Sequence, residues 1–109
     1  MAKIPGIKVS MGGEEWEIPP LSFAAVKQFS QDGTFDRVDA AIKGAEDFPA
    51  AEKMDAIVTV VHAALSRNDA NVTLAQVANA IDQNSAPAAI LAVRGATFKP
   101  RKEDGKGEQ

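Results

Sequence analysis

The chain has 109 residues, 45% of them apolar and 25% charged, with a formal net charge of −3. That is enough for a single domain with its own core, and the slightly acidic balance supplies no field to attract nucleic acid. Cysteine is absent, which excludes disulfides, thiolate catalysis and thiolate-held metal.

No run of about eighteen apolar residues is present to span a bilayer. The opening stretch MAKIPGIKVS has no apolar segment of the kind a secretory signal needs. The expectation is a soluble, cytosolic protein without a membrane partner.

Ile7, Val9 and Met11 alternate with Lys8 and Ser10, the period of a half-buried strand. Gly12-Gly13 reads as a two-residue loop, after which Glu15, Trp16, Glu17 and Ile18 alternate again. Pairing across the loop sets Ile7 opposite Ile18 and Val9 opposite Trp16 on one face, with Lys8–Glu17 and Ser10–Glu15 on the other. A lone hairpin is unstable in water, so the apolar face of this one, placed at about residues 4–18, is expected to lie on helices.

Pro19-Pro20 ends the second strand, because proline cannot donate to a ladder. Ser22 is a good N-cap for a helix carrying Phe23, Val26 and Phe29, which should stop near Asp32-Gly33. Thr34 is expected to cap a second helix that buries Phe35, Val38, Ala41, Ile42 and Ala45, with Gly44 weakening its last turn. Asp47-Phe48-Pro49 breaks the chain, and Pro49 suits the first turn of a helix.

The stretch from Ala50 to Arg67 is the most apolar helical segment. Met54, Ile57, Val58, Val61 and Leu65 form a stripe, widened by Ala56, Val60, Ala63 and Ala64. A helix so apolar must be covered on more than one side. A polar loop follows at residues 67–71. Thr73 and Gln76 form a capping box for a helix with Leu74, Val77, Ala78 and Ile81 on its buried side. Asn84-Ser85 closes that helix and caps another, in which Pro87 falls in the tolerated first turn. Residues 88–93 (AAILAV) read as a short apolar helix ending at Gly95. The pattern is therefore mainly α (α+β), a small bundle of about five short helices with an N-terminal hairpin packed on it. One domain is expected over 1–96. The tail 97–109, polar from Lys99, is expected to be disordered.

Candidate chemistry is sparse, and no catalytic, cofactor-binding or metal-ligating set emerges. His62, the single histidine, lies at the border of the apolar stripe, where a packing role is the simpler reading. Asp36, Asp39, Glu46 and Asp47 fall on the outward side of the second helix and read as a solvated face. Gly12-Gly13 lacks the surrounding pattern of a phosphate cradle. Lys99, Arg101, Lys102 and Lys106 are interleaved with acids, which makes a weak nucleic-acid binder. What remains is apolar surface: Ile90, Leu91 and Val93 point in different directions around one helix, so one direction should be exposed, and exposed apolar patches mark partner sites.

The order of elements resembles the tail assembly chaperones of long-tailed bacteriophages. The matching pieces are Trp16 through Leu21 (WEIPPL), Ala63 through Asn68 (AALSRN), Val72-Thr73-Leu74 with Ile81-Asp82, and the short apolar helix after Ser85. Together they cover roughly residues 4–96. The loop at 69–71 departs from the pattern in lacking an aromatic residue and a proline. The resemblance implies a non-enzymatic protein of the host cytoplasm, absent from the mature virion. Its implied partners are the tape measure protein, which it coats, and the tail tube protein, whose polymerisation it promotes. Such a module would hold an apolar helix in a groove through an interface moderate enough to release. Self-association is compatible with the same surfaces, and a frameshifted longer form would begin in the charged tail. Contacts are expected from Phe23, Val26 and Phe29 of one helix and from Ile90, Leu91 and Val93 of the other. The alternative from a different class is a structural head–tail connector or tail terminator that stays in the particle.

Overall fold

Gly12 and Gly13 both adopt positive φ, 59° and 82°, the left-handed pair that a two-residue type I′ hairpin turn demands. In the computed structural model, which describes residues 4–43, 51–82 and 84–98, this turn joins β1 (Ile7–Met11) to β2 (Glu14–Ile18). The antiparallel register pairs Ile7 with Ile18, Lys8 with Glu17, Val9 with Trp16 and Ser10 with Glu15. That is the register the alternation predicts. A slip by one residue would turn Val9, Met11 and Ile18, all buried, toward water. Trp16 is half-buried and its indole Nε1 donates to the Met11 carbonyl at 3.1 Å.

The helices are α1 (Phe23–Gln31), α2 (Thr34–Lys43), α3 (Ala51–Leu65), α4 (Leu74–Ala80) and α5 (Ala86–Phe98). The protein is mainly α with an N-terminal hairpin. Helix α3 is the axis: it packs on α2, α4, α5 and β2, and buries Ala56, Ile57, Val60, Val61, Ala64 and Leu65. Met54, expected on that stripe, is instead exposed, because the buried line runs through the alanines at 56 and 64 rather than along the Met54 side.

Ser22 caps α1 by accepting from the Ala25 N–H at 3.2 Å, and Thr73 with Gln76 forms the reciprocal box at α4. At α2 the capping differs from expectation. Thr34 is the first residue of the helix, and the Asp32 carboxylate accepts from both its N–H (2.9 Å) and its hydroxyl (2.6 Å). Gly33, at φ 83°, bends the chain so that this carboxylate can reach. Within α2, Val38 is buried, Phe35 and Ala41 are half-buried and Ile42 is at the surface. Residues 44–50, including Gly44, Ala45, Glu46, Asp47 and Pro49, lie outside the described residues.

Helix α4 buries Val77 but leaves Leu74 and Ala78 exposed, and Ile81 sits past its end as a half-buried cap. The largest difference is the length of α5. It does not stop at Gly95 but continues to Phe98. The Thr97 hydroxyl accepts from the Leu21 N–H at 2.9 Å, and Phe98 packs edge-on against Phe35 with ring centroids 6.2 Å apart. Thr97 and Phe98 therefore belong to the fold, two residues beyond the expected boundary. Gly95 lies inside the helix where α5 passes close to β1: a Cβ on Gly95 would lie 2.9 Å from Ile7 Cδ1.

Candidate functional site

The two-residue turn makes Met11 and Glu14 a hydrogen-bonded pair, and bonding alternates along an antiparallel ladder. It follows that Ile7, Val9 and Met11 exchange backbone bonds with β2, while Lys8 and Ser10 direct their N–H and C=O groups to the opposite edge. The sheet has the order β1-β2, so among the described residues no strand covers that edge.

A groove of about 700 Å³ lies along it. One wall is β1 with its Gly12-Gly13 turn, and the other is the first half of α5 with Asp82, Asn84 and Ser85. No β2 residue lines the groove, which places it along the free edge of β1 rather than across the sheet. Its apolar floor comes from Ile7, Ala88, Leu91 and Ala92. Leu91 is 67% exposed on a helix whose neighbouring Ala89, Ile90, Ala92 and Val93 are buried.

Hydrogen bonds tie Asp82 to Asn84 and Ser85 in the far wall. The Asp82 carboxylate accepts from the N–H groups of Asn84 (2.9 Å) and Ser85 (2.8 Å), and the Ser85 hydroxyl accepts from the Asp82 N–H at 3.0 Å. The Asp82 carbonyl also accepts from the Ala86 N–H at 2.9 Å, which starts α5. Hydrogen bonding by the Ser85 N–H, then by its hydroxyl, holds the Asp82 carboxyl below its ordinary range. Three residues beyond Leu91, Arg94 forms an ion pair with Asp39 of α2, so Asp39 is not simply part of a solvated face.

The six apolar residues expected to meet a partner divide by burial. Phe29, Ile90 and Val93 are interior and serve the fold, not a surface. Their faces of α1 and α5 are the ones laid against the rest of the bundle. Phe23 is 93% exposed at the first position of α1, Val26 is half-buried beside it, and Leu91 is exposed in the groove. Of the three directions around α5, the outward one is that of Leu91. The edge of β1 was not anticipated as part of a site. The signal for it was present, since a two-residue turn decides which backbone groups face outward.

His62 is half-buried and its Nε2 lies 3.0 Å from the Val72 carbonyl, so it joins α3 to the loop before α4. A second, smaller hollow of about 310 Å³ lies between α2 and α3, where Arg37 donates to the Thr34 hydroxyl at 3.3 Å. Among the described residues, no three His, Asp or Glu side chains come together as metal ligands would. No helix among them is long and apolar enough to cross a membrane. No protein-family model matches the chain, and the searches of curated proteins and of solved structures returned no match either.

Proposed function

We propose that this protein is a non-enzymatic tail assembly chaperone of a long-tailed bacteriophage. It binds the tape measure protein in the host cytoplasm, promotes tail tube polymerisation around it and leaves before the virion is complete. The observation that carries the reading is the exposed Leu91 in a groove, on a helix whose neighbouring Ala89, Ile90, Ala92 and Val93 are buried, since apolar surface left open on a small domain marks a partner site. Support also comes from the motif order WEIPPL, AALSRN and VTL, the first two of which meet in the fold. The Arg67 guanidinium donates to the Pro20 carbonyl at 2.8 Å.

The test is co-expression with a tape measure protein from the same phage. The wild-type chain should keep that protein soluble. Leu91→Asp should lose this while unfolding within about 0.5 kcal/mol of wild type, the range of ordinary surface substitutions. Ile90→Ala, by contrast, should cost about 2–5 kcal/mol as a core truncation. No solubilisation by the wild-type chain, or its retention at ring stoichiometry in purified particles, would overturn the reading.

A further inference from the structure

We infer that the free edge of β1 binds a partner segment in extended conformation, as an added antiparallel or parallel strand seated against Leu91. The inference holds whichever protein supplies the segment, and so goes beyond the reading above.

The outward backbone groups of β1 select an extended occupant rather than a helical one. Lys8 and Ser10 turn backbone donors and acceptors into the groove, and such a row is matched by another main chain in strand conformation. A helix has no free backbone groups along its side to offer. β1 spans five residues, about 17 Å at strand rise, which sets the length over which an added strand can pair.

Side-chain chemistry follows from the alternation. Residues of the added strand that sit beside Ile7 and Val9 point inward, over Leu91 and Ala88, and should be apolar. Residues beside Lys8 and Ser10 point to solvent, where the Lys8 ammonium favours an acidic neighbour. The occupant is thus an apolar/acidic alternating segment of about five residues. The chain's own tail does not fit, because residues 99–109 (KPRKEDGKGEQ) contain no large apolar side chain to cover Leu91. A second copy would offer either its own β1 edge, which lies in a groove already walled by α5, or the outer edge of β2, whose Trp16 and Ile18 are packed into their own core and cannot cover Leu91.

The test titrates the intact, isotope-labelled protein with capped seven-residue peptides in which Val, Ile or Leu alternates with Thr or Glu. The amide signals of Lys8 and Ser10 should shift saturably, together with the Leu91 methyls, and both amides should exchange more slowly with solvent. Methylating the peptide nitrogens on one edge keeps its side chains but removes its donors, and should weaken binding about tenfold or more. Ser10→Pro removes an outward N–H that takes no part in the β1–β2 ladder, and should weaken binding similarly without altering the thermal midpoint. Several outcomes would each overturn the inference. One is that no peptide of the set moves the Lys8 and Ser10 amides at millimolar concentration. A second is equal binding of the methylated peptide. A third is that the same residues at helical spacing bind at Leu91 with those amides unmoved. The last is concentration-dependent shifts of the protein alone, which would assign the edge to a second copy.

Discussion

The side-chain amide of Asn68 grips the backbone of Ile4 at both ends: Oδ1 accepts from the Ile4 N–H at 2.8 Å, and Nδ2 donates to the Ile4 carbonyl at 2.9 Å. Its neighbour Arg67 holds the carbonyl of Pro20. Ile4 precedes β1 and Pro20 follows β2, so two consecutive residues after α3 clasp both open ends of the hairpin. The Asn68 amide imitates one rung of a β-ladder where a third strand is missing.

Asn68→Ala should therefore loosen the hairpin from the bundle. It strands a partly buried N–H and C=O, at a cost of about 1–3 kcal/mol. Asn68→Asp keeps the acceptor for the Ile4 N–H but loses the donor and should fall between the two. Urea unfolding gives the stability change. Hydrogen exchange at Ile4 locates it, and an unchanged Ile4 amide in Asn68→Ala would show that the clasp contributes nothing.

Gly6 and Gly95 should respond very differently to alanine. A Cβ on Gly6 would lie 2.1 Å from the Ile18 carbonyl oxygen, and backbone cannot step aside, so Gly6→Ala should cost upward of about 3 kcal/mol or prevent folding. At Gly95 the obstacle is the tip of the Ile7 side chain. Gly95→Ala alone should be close to neutral, with helix propensity gained and packing strained. In an Ile7→Val background, which removes that tip, the same change should stabilise by about 1 kcal/mol. Thermal unfolding of the four proteins closes this cycle.

Acid should weaken the fold through two exposed turn carboxylates. Asp32 is held below its ordinary value of 3.8, first by the Thr34 hydroxyl and then by the Thr34 N–H. Asp82 is lowered from the same value by Ser85. A group whose folded value is depressed stabilises fully above its ordinary value, and that contribution disappears as pH falls through the folded one. The thermal midpoint of the wild type should drop more steeply below about pH 4 than that of an Asp32→Asn, Asp82→Asn double variant, whose amides accept hydrogen bonds without titrating. Parallel curves would remove these two groups from the acid response.

Sequence alone determined the features whose forces are local. The hairpin register follows from side chains alternating across a two-glycine turn that permits one backbone twist. The Thr73–Gln76 box closes between atoms three residues apart. The α3 stripe follows from its 3.6-residue period. Periodicity says which residues share a face but not what that face meets, and there the tertiary structure decided. Phe29 and Val93 went inside while Phe23 and Leu91 stayed out, though all four are apolar residues on amphipathic turns. Helix α5 ran past Gly95, where the missing side chain leaves room for the tip of Ile7. Asn68 found Ile4 across 64 positions and Arg94 found Asp39 across 55. The groove has the same origin: the outward edge of β1 is written in its turn, but only the packing of α5 beside it puts Leu91 within reach.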